Sequence, residues 1–385
     1  MGIRKAKLWL SFALILILVF ALTGQAASGD NGKPQRYIVT FQSGTPVNEE
    51  ALKRLEHRFG GEHHDVTLIN GAVVIVPPSA RVELEGIPGA TVEEDGVVSI
   101  VGIDSGDPEV AAAWGVDRID AEKAWPTTTG IGVKVGIIDT GIDRTHPDLP
   151  SIAGGRDFVN SDNDPSDDNG HGTHVAGTIA AQKNGNGVVG VAPGVKLYAY
   201  KVLNASGSGY WSDLILALNQ AVADGMQVVN MSMGGSSAPT ALKTACDNAY
   251  AAGVLLVAAA GNGGGVIYPA KYASVIAVSA TDKSDKRAFF SSSGAEVELA
   301  APGVNIKSTY LGGGYATLSG TSMATPHVTG TAALVFASGR ATTAGGVRTI
   351  LQRTADDFGA AGRDKFYGYG LVDAQEAATG VQTLP

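Results

Sequence analysis

The chain has 385 residues, with 28 Lys and Arg against 37 Asp and Glu and a formal net charge of −9. That length suffices for more than one domain and a large core. The acidity is spread along the chain, which argues against a nucleic-acid partner and reads as solubility. Cys246 stands alone, so no internal disulfide can form; it sits in a helical-looking run and reads as a small core residue.

Met1 to Ala26 reads as a secretory signal. Arg4, Lys5 and Lys7 precede the apolar stretch Leu8 to Leu22. That stretch is about 15 residues long, short of the roughly 20 a membrane span needs. Gly24 and Ala26 are small residues at the positions where such a signal is cut. The expectation is a secreted, extracellular protein without stable membrane association, an uncleaved anchor being the alternative.

Residues 34 to 101 alternate in the order β-α-β-β-α-β. Arg36 to Phe41 and Asn70 to Val76 have strand character, Glu50 to Phe59 and Ser79 to Glu85 helical spacing, and Ala90 to Val101 is extended. This pattern predicts a small α+β ferredoxin-like domain. Residues 102 to 113 form a Gly/Asp/Ala-rich linker. From Trp114 to the end, 114 to 385, short apolar runs alternate with helical ones. The runs are Val133 to Ile138, Lys196 to Val202, Val228 to Met231, Val254 to Ala259 and Val275 to Ala280. The helices are His171 to Gln182, Trp211 to Gly225, Ala238 to Ala252 and Thr325 to Ala337. The alternation predicts an α/β domain with a doubly wound, mainly parallel sheet flanked by helices. Sites in such sheets lie at the carboxyl ends of strands, and Asp139 follows the first run directly.

Three blocks carry the chemistry: Val135 to Gly141 with Asp139, Asn169 to Gly177 with His171, and Gly320 to His327 with Ser322. Each alone is weak, since Ser in a small-residue turn is often a helix cap and Asp after a strand a turn residue. Together they supply acid, base and nucleophile in the chain order Asp, His, Ser, which separates one lineage of serine hydrolases from the others. At all three blocks the sequence resembles the subtilisin-like serine proteases, or subtilases. The resemblance covers nearly the whole chain after the signal, including Tyr367 to Asp373 near the end.

The resemblance implies a serine endopeptidase made as a precursor, with residues 34 to 101 as an inhibitory propeptide cut off in the linker. Asp139, His171 and Ser322 are then catalytic, and Asn262 is a side-chain donor of the oxyanion hole. Two Gly-rich segments, Ser206, Gly207, Ser208, Gly209 and Ser232, Met233, Gly234, Gly235, match the edges that pair with an extended peptide. The implied partners are polypeptide substrates and the chain's own propeptide, acting on a monomer. The loop after Asn262 is short, and Ile267 stands where the family commonly has a small residue at the base of the specificity pocket. A preference for medium-sized apolar side chains is expected, with Lys and Arg disfavoured.

The family also suggests structural Ca2+. Asp157, Asp162 and Asp164 resemble one calcium loop, and packed carboxylates repel unless solvated or bridged. Asp148 with Asn184 and the carbonyls of Gln182, Asn186 and Val188 resembles a second site, and Ala270, Tyr272 and Val275 a weaker carbonyl-lined one. Three other readings compete. His171 and His174 could suggest zinc, but the Glu of H-E-x-x-H is absent and the spacing is one residue short. An esterase would carry Gly-x-Ser-x-Gly, and here Ala324 replaces the last Gly. An inactive binding protein is disfavoured by the presence of all three catalytic residues and Asn262.

Overall fold

A computed structural model describes residues 34–42, 44–100, 103–104 and 113–382. The signal assignment and most of the linker lie outside the described residues. The N-terminal unit runs β1 (Gln35–Phe41), α1 (Glu49–Phe59), β2 (Glu62–Val66), β3 (Gly71–Val76), α2 (Arg81–Glu85) and β4 (Ala90–Glu94). Its antiparallel sheet has the order β2-β3-β1-β4. Alternate residues Tyr37, Val39 and Phe41 of β1 face Leu52 and Leu55 of α1 and form a small core of their own. α1 begins where the Asn48 side chain accepts the Ala51 N–H.

Two short strands follow, β5 (Val97–Ile100) and β6 (Ile103–Asp104). The larger unit opens with α3 (Trp114–Arg118) and α4 (Ala121–Ala124). It continues through β7 (Lys134–Asp139), β8 (Gly154–Asp157), α5 (His171–Ala180), β9 (Lys196–Lys201), β10 (Ser208–Tyr210), α6 (Trp211–Ala223), β11 (Val228–Met231), β12 (Met233–Gly234), α7 (Thr240–Ala251) and β13 (Leu255–Ala259). Then come β14 (Val275–Thr281), β15 (Val297–Pro302), β16 (Ile306–Tyr310), β17 (Gly314–Ser319), α8 (Thr321–Ser338), α9 (Ala344–Arg353) and α10 (Ala374–Thr379).

Seven strands form one sheet in the order β15-β14-β13-β11-β7-β9-β8, and every pairing is parallel. Both faces are covered. Val135, Ile137, Leu255 and Val257 point into the layer that holds α5 and α8, whereas Ile138, Val229, Leu256 and Ala258 point into the layer of α6 and α7. That period of two, with both sides apolar, is why the strands read as unbroken hydrophobic runs. The doubly wound expectation holds. α8 starts at Thr321, four residues before the expected start, because Pro326 is accommodated near the helix start.

Candidate active site

Asp139 is the last residue of β7, so the sheet delivers its carboxylate to the strand ends fully buried. Oδ1 accepts the Thr140 N–H at 2.8 Å and the His171 Nδ1–H at 2.7 Å. His171 is the first residue of α5. The first turn of that helix approaches β7 so closely that a Cβ on Gly172 would lie 2.1 Å from the Gly141 carbonyl oxygen. Asp167 fixes the same turn. It accepts from Thr140 Oγ1, the Asn169 and Gly170 N–H groups, and the Thr173 N–H and Oγ1. These five donors come from both sides of the turn, so no residue pattern displays the role of Asp167.

With Nδ1 committed to Asp139, the His171 Nε2 is the nitrogen free to act as base, and it has no partner among the described residues. Ser322 lies in the first turn of α8 and its Oγ donates to the Ser232 carbonyl at 2.7 Å. Pro326 has no N–H to offer the carbonyl of Ser322 four residues earlier. The Ser232 Oγ fills that place, donating to the Ser322 carbonyl at 2.8 Å. Ser322 and Ser232 are thus joined by two reciprocal hydrogen bonds.

Asn262 follows β13. Its Oδ1 accepts the Thr321 N–H and Oγ1–H, each at 3.0 Å, and this fixes the amide plane. The Nδ2 group is buried and donates to nothing among the described residues. Ser322 N–H belongs to the helix's first turn, whose donors have no intrahelical carbonyl.

β5 lies between β10 and β12, antiparallel to both. Val98 faces Gly209 and Ser99 faces Ser208 on one side; Ser99 faces Gly234 and Ile100 faces Met233 on the other. Two residues further on, Ile103 and Asp104 pair with Ser319 and Leu318 of β17, the strand that leads into Ser322. Of the expected edge residues, Ser208, Gly209, Met233 and Gly234 pair directly. Ser206 and Gly207 form the turn before them, held by the Asn204 side chain, and Gly235 bridges to Tyr268. A Cβ on Gly209 would lie 2.0 Å from the Val202 carbonyl oxygen, so glycine there is demanded by the strand behind it. Ile267 packs against the other edge: its Cδ1 would lie 2.5 Å from a Cβ on Gly234.

The expected calcium residues are placed as follows. Asp157 accepts the Val159 and Asn160 N–H groups and Asn160 Nδ2; Asp162 accepts the Asp164 N–H; Asp164 accepts Arg144 and Ser166. Asp148, buried, accepts Asn184 Nδ2, the Val188 N–H and the Tyr315 hydroxyl. Asn184 Oδ1 accepts the Asn186 N–H, and Gln182 N–H donates to the Asp148 carbonyl. Near Ala270 and Tyr272, the Arg348 guanidinium takes the carbonyls of Ala273 and Val275 and pairs with Glu298.

His174 is fully buried and its Nε2–H donates to the Ile306 carbonyl. Burial lowers its pKa to about 3, and that of buried His327 to about 4. Both folded values lie below the ordinary histidine value, so the unfolded chain takes up protons the folded one refuses. The stability contribution is complete above about pH 6.5 and is lost as pH falls toward 4, at about 1.4 kcal/mol per pH unit for each group. A Tm series from pH 7 to pH 4 should show this fall, and His327→Leu should flatten it.

A buried carboxylate, an imidazole with one free nitrogen, a serine at a helix start and a buried amide donor define a serine hydrolase class of site. A family model described as Subtilase family matches residues 130–370. Subtilisin E of Bacillus subtilis (strain 168) is 42% identical over 390 residues, covering 97% of this chain and 100% of that protein. Subtilisin DY of Bacillus licheniformis is 50% identical over 273 residues, covering 69% and 98%. The alkaline protease of Shouchella clausii is 42% identical over 374 residues, covering 94% and 96%. The chain belongs to the subtilase family. It is a serine endopeptidase that works through a catalytic triad and an acyl-enzyme.

Proposed function

We propose that Asp139, His171 and Ser322 are the triad and that the first bond they cut is in their own chain, at Val101–Gly102. His171 Nε2 takes the Ser322 Oγ proton as Oγ attacks the peptide carbonyl carbon. The negative oxygen of the tetrahedral intermediate is met by Asn262 Nδ2 and the Ser322 N–H. His171 then gives its proton to the leaving amine nitrogen, and water repeats the sequence on the acyl-enzyme. Asp139 holds the imidazole in the tautomer this needs.

The observation that carries the processing reading is the pairing of one chain on both sides of the nucleophile. β5 lies on β10 and β12, β6 lies on β17, and Val101–Gly102 is the stretch between them. Residues 34 to 101 then act as a ferredoxin-like propeptide whose last strand occupies the substrate edges. Residues 1 to 26 act as a secretory signal for an extracellular enzyme. Among the described residues no helix is long and apolar enough to cross a membrane. Ser99→Pro tests the pairing, since it removes the N–H of the one residue that faces both edges. Cleavage of the precursor should slow about tenfold or more. An unchanged rate would mean that the strand does not present the bond.

Specificity follows from Ile267. Its side chain fills space beside Gly234, leaving a shallower pocket with no acid on its rim. Ile267→Gly should raise kcat/KM on substrates with Phe or Tyr before the cut bond about tenfold relative to Ala or Val, since pocket methylenes are worth about 1–3 kcal/mol. A peptide library read by mass spectrometry measures the ratio.

At the expected calcium loops the carboxylates of Asp157, Asp164 and Asp148 receive hydrogen-bond donors, and of the three expected carbonyls the Arg348 guanidinium takes that of Val275. A hard cation needs open oxygen ligands, and at these carboxylates it would have to displace those donors.

A further inference from the structure

We propose a transition-metal site of the zinc type in the N-terminal unit, formed by Glu49, His63 and Asp65, apart from the catalytic centre. Glu49 opens α1, and His63 and Asp65 lie two residues apart on β2. Because strand side chains alternate, His63 and Asp65 project from the same face of β2, the face toward α1. One ligand atom from each of the three lies within 4.8 Å of the others. The His63 side chain is only 9% exposed, whereas those of Glu49 and Asp65 are 42% and 51% exposed, so the site is anchored inside and open to solvent outside.

The imidazole is oriented as a metal ligand. Its Nδ1–H donates to Glu56 Oε1 at 2.7 Å, two turns along α1 from Glu49 on the same face. That bond fixes the tautomer and aims Nε2 at Glu49 Oε2, 3.4 Å away, and at Asp65 Oδ1, 3.8 Å away. A carboxylate behind a histidine whose other nitrogen faces further carboxylates is the arrangement that supports zinc ligands elsewhere. Tetrahedral zinc at about 2.0–2.2 Å from each ligand sets those ligands roughly 3.4 Å apart, so a small closure of two exposed side chains completes the shell, with water fourth.

Charge argues the same way. Three carboxylates surround one imidazole, and Lys53, which is 67% exposed, reaches only Glu49, at 3.7 Å. A divalent cation offsets that excess of carboxylate charge. Mixed imidazole and carboxylate ligands favour zinc over calcium or magnesium. The bound ion would staple the start of α1 to β2 and so stiffen the unit that inhibits the enzyme.

The test uses residues 27–385 with Ser322→Ala, so that the chain stays whole, titrated with zinc chloride against a chromophoric chelator. One zinc ion should bind per chain with a Kd of about 10 μM or tighter. His63→Gln and Asp65→Asn should each weaken binding at least tenfold, and Glu56→Gln, which keeps every ligand, about 10–100-fold. Circular dichroism checks that each variant remains folded. Should His63→Gln unfold the unit, Asp65→Asn, at an exposed position, decides alone. Absence of zinc binding at 100 μM, or equal affinity in Asp65→Asn, overturns the site.

Discussion

A precursor carrying Ser322→Ala should stay whole under conditions in which the wild type should lose residues up to Val101. The readout is a gel and intact mass of both proteins, expressed without residues 1 to 26. β5 and β6 hold one continuous chain on the edges either side of the nucleophile, and cleavage there needs no diffusion of substrate. Removing Oγ removes the only atom proposed to attack, and it also removes the hydrogen bond to Ser232. The fold should survive, because the Ser232 hydroxyl still satisfies the residue 322 carbonyl. Cleavage of both proteins at the same bond would show that another nucleophile does the work. Cleavage of neither would remove the self-processing reading while leaving family membership intact.

The second large effect is expected at Asn262. Asn262→Ala should lower kcat about 10²–10³-fold with KM little changed, the magnitude known for subtilisin itself. Among the described residues the amide donates to nothing, so what it contributes is expected only when the carbonyl oxygen becomes negative. The substitution also frees Thr321, whose N–H and hydroxyl point at Asn262 Oδ1. Thr321→Val separates the two contributions. It keeps the donor and loses one tether of the amide plane together with the acceptor of the Gly261 N–H, so its loss in kcat should be well below that of Asn262→Ala. Equal losses would reassign the effect to the turn rather than to the oxyanion.

Much of this site was legible in the sequence, for identifiable reasons. β7 is buried on both faces, so it reads as an unbroken apolar run and places Asp139 at its end. His171 and Ser322 sit in Gly-rich blocks, and at Gly172 the structure gives the reason: two backbones meet where no Cβ fits. The hairpin of β16 and β17 was missed. It is only partly buried, it mixes polar with apolar positions, and its third strand, β6, is two residues arriving from far upstream. The acidic residues around Asp157 were legible as carboxylates but not as acceptors. Their partners include backbone N–H groups and side chains across the turn, and no residue pattern displays those. The same holds for Arg348, which reaches the carbonyls of Ala273 and Val275 from a helix more than seventy residues further along the chain.

The strand pair β5 and β6 has a consequence for concentration. If the N-terminal unit is the inhibitor proposed above, then while the chain is continuous it is part of the enzyme, held at an effective concentration on the order of millimolar whatever the dilution. Once the bond between them is cut, the two halves of the cleft lose their shared occupant and the N-terminal unit becomes an ordinary ligand. From that moment its grip follows mass action. A crowded precursor population would remain silent after cutting, and the same molecules would become active when they spread into a larger volume.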